Sequence, residues 1–336
     1  MTVLITADLH LNDLARDQYR HDWMANILPV LLKKYKISRL LILGDLCDSK
    51  DHHGAWLVNQ LVDHFTMLAE ICPIIIQMGN HDYIVADNPF FEFLGKIPGV
   101  TWISKPTTSA ELEIPKISAL FLPHTANYQR DWKGLKFDAY SYIFAHQTFQ
   151  GAAVGPRKLD GIPTDIFPND ITVVSGDIHQ PQEFGPIVYV GSPYLEDFGD
   201  DFNPRVLLLE DKNASGKLTS IPSPGPQKRL VEISSIAELS KQRSINSGDI
   251  LKVRVKLAAT DHAKWPTIKD DVKAWGEDNG FIIHLVQPQI DSKGAGGMSK
   301  RKTVTRTDEQ LLETYAQSRA VSTSTLKTGL TLMSKI

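Results

Sequence analysis

Leu40-Leu41-Ile42-Leu43-Gly44-Asp45-Leu46-Cys47-Asp48 runs four apolar residues straight into a glycine and two aspartates. A short unbroken apolar run bounded by turn residues reads as a strand buried on both faces, and the glycine lets the backbone turn tightly where the strand ends. The carboxylates then stand at the carboxyl end of a sheet strand, where α/β folds place their chemistry. Four other stretches follow the same pattern. Val3 to Thr6 precedes Asp8-Leu9-His10, Ile74 to Met78 precedes Gly79-Asn80-His81-Asp82, Tyr142 to Ala145 precedes His146, and Ile171 to Ser175 precedes Gly176-Asp177-Ile178-His179.

These residue types suit a two-metal phosphoesterase. Hydrolysis of a phosphate ester at neutral pH needs an activated water, neutralised phosphoryl oxygens and help for the leaving oxygen, and two divalent cations about 3.5–4 Å apart provide all three. Such a pair needs a bridging carboxylate with His, Asp and Asn in the remaining positions. Asp45 is the bridging candidate. Asp8 and His10, two apart on an extended strand end, are expected to point to one side, and Asp177 and His179 repeat that spacing. Asn80 offers a neutral oxygen and His146 ends a strand of its own. His81 is left free as a general acid, with Asp48 or Asp82 to orient it. Singly, each fragment is weak, since an Asp-x-His arises by chance and Gly-Asp is an ordinary turn. Five in this order, each at a strand end, are not. Lys50, His52 and His53 follow the second motif and are candidates for contact with a DNA backbone, against the plainer reading of a solvated loop.

The 336 residues are enough for two domains and an appendage, and the 42% hydrophobic and 22% charged residues are those of a globular protein. No apolar run approaches the ~18 residues of a membrane span, and the N-terminus enters a strand pattern rather than a signal peptide. The expectation is a cytoplasmic protein without membrane association. Cys47 and Cys72 lack metal-type pairing and read as small packing residues in a reducing compartment. Net charge is −3, yet residues 291–336 hold eight Lys/Arg against four Asp/Glu, leaving −7 on residues 1–290. A body this acidic is not that of a passive DNA-coating protein.

Up to about residue 225, strands alternate with helical stretches, one at Asp22 to Lys36 (Trp23, Ile27, Val30, Leu31, Tyr35) and one at Gly54 to Ile71 (Leu57, Leu61, Phe65, Leu68, Ile71). Later strands at Ala119 to Leu122, Ile187 to Val190 and Val206 to Glu210 come with little helix between them. The expected fold is α/β, a two-sheet β-sandwich flanked by helices. The Pro-rich stretch Ser220 to Lys228 cannot extend a helix or a central strand, and sets the limits of a first domain at 1–225 and of a small α+β capping domain at 226–290. Residues 291–302, with three glycines and four basic residues, read as a flexible linker, whose Lys300, Arg301 and Lys302 are weighed as phosphate contacts. Within 303–336, Leu311, Leu312, Tyr315 and Ala316 recur at helical spacing behind Thr307 as an N-cap. So short a helix does not hold itself together in water, and is expected to dock on a partner.

The five motifs, over about residues 1–210, resemble those of the calcineurin-like metallophosphoesterase superfamily. The resemblance implies a metallophosphoesterase fold with one metal on Asp8, His10, Asp45 and His179, the other on Asp45, Asn80, His146 and Asp177, and His81 as the acid. Within the superfamily the chain is most similar to SbcD-type nuclease subunits. Asp48 is not followed by the Arg-Gly of protein phosphatases, Tyr189-Val190-Gly191-Ser192-Pro193 with Asp197-Phe198-Gly199 resembles the stretch closing that nuclease domain, and the order of domains is the same. This implies a Mn²⁺-dependent DNA nuclease, with Mg²⁺ as the other candidate, that forms a homodimer and binds an SbcC-type coiled-coil ATPase through residues 303–336. Two positions depart from the pattern. Asp177 stands where nuclease subunits carry a histidine, and Leu11-Asn12 replaces Leu-Gly after the first motif. A small-molecule or cyclic-nucleotide phosphodiesterase would need neither cap nor tail, and a non-catalytic DNA- or ATPase-binding subunit would have no use for seven converging ligands.

Overall fold

A computed structural model describes residues 1–114, 117–212, 215–241, 245–290 and 325–328. The linker 291–302 and the tail 303–336, apart from a helical turn at 325–328, lie outside these residues. Residues 1–289 form one compact unit and residues 290–336 a second.

Three apolar runs become parallel neighbours: β1 (Thr2–Thr6), β2 (Arg39–Leu43) and β3 (Ile74–Gln77), joined on one side by β4 (Val100–Ile103). The second sheet takes β5 (Thr107–Thr108), β6 (Ala119–Leu122) and β7 (Tyr142–His146). After a small hairpin, β8 (Ala153–Val154) and β9 (Arg157–Lys158), it adds β10 (Thr172–Gly176), β11 (Gln182–Phe184) and β12 (Ile187–Tyr189). The chain then returns through β13 (Arg205–Lys212) and β14 (Ser215–Pro222) to the first sheet. Among the described residues the two six-stranded sheets run β14-β13-β1-β2-β3-β4 and β11-β12-β10-β7-β6-β5. Pro222 ends an edge strand, the one place in a sheet where its missing N–H costs no ladder bond.

Alternation decides what each face covers. Val3, Ile5, Leu41, Leu43 and Ile75 of the first sheet pack with Phe121, Phe144 and Val174 of the second into the core between them. Leu4, Leu40, Ile42, Ile74 and Ile76 point the other way, under α1 (Gln18–Asp22), α2 (Leu28–Lys34) and α3 (Ala55–Ala69). Among the described residues the outer face of the second sheet carries little helix, the four-residue α4 (Tyr128–Asp131) and short 3₁₀ turns at Phe137–Ala139 and Thr164–Ile166, and is covered by Trp132, Phe149 and Phe167 from its connections.

Helix α1 and helix α2 are joined without a break by a π-turn at Trp23–Ile27, in which the Leu28 N–H reaches back to the Trp23 carbonyl. Pro29 has no N–H to close the ordinary bond to Ala25 and its ring crowds that carbonyl. The extra residue shifts the helix phase, so the buried set is Trp23, Met24, Leu28, Leu31 and Leu32, while Val30, expected on the apolar face, is 60% exposed.

Residues Lys228–Ile290 build a three-stranded sheet of β15 (Lys228–Ile233), β16 (Ile250–Leu257) and β17 (Ile282–Ile290), with α5 (Trp265–Asp278) closing its own core of Val231, Val253, Val255 and Val272. Ile250 belongs to the core of the first sheet, so the small unit is packed onto the sandwich. Among the described residues no helix is long and apolar enough to cross a membrane.

Candidate metal centre

All five motifs meet at the carboxyl ends of β1, β2 and β3 in one sheet and β7 and β10 in the other. The extended geometry expected for Asp8-Leu9-His10 does not occur. Strand β1 has already ended, and Asp8 (φ 55°), His10 (φ 42°), Asp45 (φ 55°) and Asp177 (φ 85°) all take the left-handed conformation that non-glycine residues rarely adopt. Backbone bonds between the first two loops hold them there: Asp8 N–H donates to Gly44 O (3.1 Å), Leu9 and His10 N–H to Asp45 O (2.9 and 3.0 Å), and Leu11 N–H to Leu46 O (2.8 Å). Gly44 (φ 88°) must be glycine twice over, because a Cβ there would lie 2.7 Å from Gly79 Cα and collide with the His146 ring.

Ligand atoms of Asp8, His10 and His179 lie within 4.8 Å of one another, as do those of Asp8, Asp45 and His146, and those of His10, Asp45 and His81. His10 Nε2 is 3.1 Å from His179 Nε2 and 3.6 Å from Asp45 Oδ2. His146 is wholly buried. Its Nδ1–H donates to the Leu43 carbonyl (2.5 Å) and its Nε2 faces Asp45 Oδ1 at 3.3 Å, the nitrogen a metal would take once its proton is displaced. The Asn80 amide is 2.8 Å from that Nε2 and 3.0–3.1 Å from both Asp45 oxygens. Asp177 stands at the rim, one oxygen accepting from the Thr148 hydroxyl and the other 3.9 Å from His146 Nε2.

The donor set fits divalent cations. Asp8 Oδ1 accepts the Asp177 N–H at 2.9 Å, but Oδ2 is buried with no partner, an expensive state for a carboxylate oxygen unless it serves as a ligand. Burial raises Asp8 to about 6, against the pull of His146 and His179. Asp45 is held well below the usual carboxylate range: burial alone would raise it, and His146 and His10 overcome that. Burial would likewise lower His10, yet Glu196, Asp48 and Asp45 around it push it up to about 9. Buried carboxylates here draw protons onto the imidazoles, the charge a metal would replace.

His81 receives its orientation from a source other than the one expected. Its Nδ1–H donates to the Asp48 backbone carbonyl (2.6 Å), and its own N–H to Asp45 Oδ1 (2.8 Å). The Asp48 carboxylate lies instead 3.3 Å from His10 Nδ1 and 3.3 Å from Arg20, and accepts from Asn12 at 2.5 Å. Asp82, fully buried, accepts the N–H groups of Asp45 (3.0 Å), Leu46 (2.9 Å) and Gly79 (2.7 Å), stitching the second and third motif loops together. Both carboxylates are engaged elsewhere because backbone donors and the buried Arg20 lie nearer to them.

Of the other candidates, Lys50 is exposed and lines a crevice with Ile84, Val85 and Phe90. His52 is exposed beside Asp51. His53 is packed between Phe90 and Phe91 at ring distances of 4.5 and 4.7 Å, a structural position rather than a free contact. Asn12, the departure from the Leu-Gly pattern, bridges Asp17 and Asp48. Sequence reading passed over Arg20 on α1, which donates to the His10 carbonyl and to Asp48. It also passed over Glu196, 3.5 Å from His179 Nδ1. Helical spacing gives no hint that one polar residue turns inward, and Glu196 lies between two quoted motifs.

A family model for calcineurin-like phosphoesterases matches residues 1–209. Among curated proteins, the chain is similar to one described as phosphoesterase 244L of Invertebrate iridescent virus 6, 25% identical over 61% of this chain and 72% of that protein. It is also similar to one described as phosphoesterase 078R of Invertebrate iridescent virus 3, 25% identical over 63% of each, so it spans less than two thirds of that relative. Among solved structures, nuclease MPE of Pseudomonas putida matches 65% of this chain and 87% of its own with 13% identity and a TM-score of 0.34, too loose a superposition to bear on substrate.

Proposed function

Because the chain belongs to the calcineurin-like phosphoesterase family, we propose that it is a two-metal, Mn²⁺-dependent DNA nuclease, the nuclease subunit of an SbcCD-like complex that processes DNA ends. The observation that carries the catalytic part is the buried Asp8 Oδ2 without a partner inside a convergence of Asp, His and Asn ligand atoms. Two divalent cations held by Asp8, His10, Asp45 and His179 and by Asp45, Asn80, His146 and Asp177 would neutralise the phosphoryl oxygens and supply a nucleophilic water at neutral pH. With Nδ1–H fixed on the Asp48 carbonyl, His81 turns Nε2 away from that loop, free to hand a proton to the departing oxygen. Asp82 keeps the loops bearing Asp45 and Asn80 in register through three backbone bonds.

DNA as the substrate rests on the SbcD-like motifs Tyr189 to Pro193 and Asp197 to Gly199 and on the small α+β unit that follows the sandwich. The partners are proposed on the sequence pattern. Residues 303–336 recruit the coiled-coil ATPase, and the helices before residue 71 pair two copies of the chain.

End-labelled linear double-stranded DNA with Mn²⁺ tests the reading, with Asp45→Ala as control. Digestion by the wild type and none by the variant is the expected result, and the products give the polarity. Hydrolysis of a generic phosphodiester with DNA left intact would overturn the nuclease assignment and leave a small-substrate phosphodiesterase.

A further inference from the structure

Each of the two histidines that converge through Nε2 has a carboxylate on its Nδ1 side. For His10 it is Asp48, at 3.3 Å. For His179 it is Glu196, whose Oε2 lies 3.5 Å from Nδ1. The Glu196 side chain is only 10% exposed, and its Oε1 is buried without a partner. A glutamate held this far out of water with a free oxygen is costly unless it does something for a neighbour.

Its loop is tied down independently of the metal ligands. The Glu196 carbonyl accepts from the Lys228 ammonium at the first residue of β15, and its N–H donates to Asp200 Oδ2 at 2.8 Å. The Leu195 carbonyl accepts from the Tyr19 hydroxyl at 3.1 Å. The Lys228 ammonium in turn lies over the rings of Tyr19 (5.3 Å) and Phe198 (5.6 Å). The small sheet and helix α1 therefore fix where the Glu196 carboxylate stands.

Resting on the metal-site reading above, we propose that Glu196 is the positioning residue for His179, accepting its Nδ1–H and so turning the Nε2 lone pair into the cluster with His10 and Asp8. A carboxylate behind a ligating imidazole fixes its tautomer and ring orientation and raises its basicity. Glu196 touches neither substrate nor reacting atoms in this role.

Calorimetric titration of the full chain with Mn²⁺ tests it, alongside thermal unfolding of the metal-free protein. The wild type should take up two ions. Glu196→Ala should weaken one site by about 10–100-fold and spare the other, Glu196→Gln, which keeps an acceptor but no charge, should fall between, and the metal-free melting temperature should stay within about a degree of wild type in both. Unchanged affinities at both sites in both variants would overturn the proposal. Weakening of both sites together with a lowered metal-free melting temperature would also overturn it, by reducing Glu196 to a structural part of its loop. A wild type that takes up no Mn²⁺ would defeat the metal-site reading itself. One that binds two ions but leaves DNA intact would defeat only the choice of substrate.

Discussion

Four candidate ligands, Asp8, His10, Asp45 and Asp177, hold left-handed backbone conformations that cost roughly 1–3 kcal/mol each and persist only where the surroundings over-determine them. The ladder between residues 8–11 and 44–46 and the three donors on Asp82 supply that constraint for the first three, and the Asp177 N–H bond to Asp8 Oδ1 supplies it for the fourth. The identities of these residues were legible from the motifs. Their strain was not, because it arises from hydrogen bonds between loops distant in sequence. The same holds for His64, which lies on the buried face of α3, its Nε2 3.2 Å from His21 Nδ1. Burial, then the charge of His21, push it down to about 4 from 6.5. Unfolded chain binds the proton first, so His64 costs no stability above pH 6.5 and subtracts from it as pH falls from about 6.5 to 4. The loss should reach about 2 kcal/mol, discounted for partial solvent access. His64→Gln should show a smaller drop in melting temperature between pH 7.5 and 5 than wild type; equal drops would remove His64 as the source.

At the scale of elements, β1, β2 and β3 fall where apolar runs predicted them because they are buried on both faces and admit no other pattern, whereas the edge strands β4, β5, β11 and β14 are not among those predicted. Helix α3 likewise keeps its expected apolar positions. The helix from Gln18 to Lys34 does not, since its π-turn moves the buried face by a residue, and its polar face turns inward as well. Arg20, 5% exposed, donates to the His10 carbonyl, to Asp48 and, through Nε, to the Tyr19 hydroxyl, so α1 clamps the first and second motif loops together. Arg20→Met should destabilise the protein by about 2–3 kcal/mol in urea unfolding, by leaving the His10 carbonyl and Asp48 without their partner. Arg20→Lys should recover less than half of that, having one ammonium in place of a planar fork. A loss below about 0.5 kcal/mol for Arg20→Met would show the clamp to be dispensable.

For the whole molecule, the sandwich and the small sheet share one compact unit through residue 289, tied by Lys228, Ile250 and the Trp23–Ser223 hydrogen bond of 2.8 Å. The Pro-rich stretch runs from the end of β14 to the start of β15. The tail is proposed as a separate device, and its removal should separate two properties. Deleting residues 303–336 should abolish complex formation with the ATPase in size-exclusion chromatography while Mn²⁺-dependent hydrolysis persists, and intact complex formation would dismiss the tail as the docking element. By itself the sequence determined the central sheet strands, the family and the set of ligand candidates, because apolar runs ending in Gly, Asp, Asn and His are local patterns set by burial and turn chemistry. Only the tertiary structure decided which carboxylate serves which imidazole. Asp48 stands beside His10, Asp82 beneath the backbone and Glu196 behind His179, since such pairings depend on contacts of 2.7–3.5 Å between loops up to 38 residues apart, and sequence spacing carries no record of them.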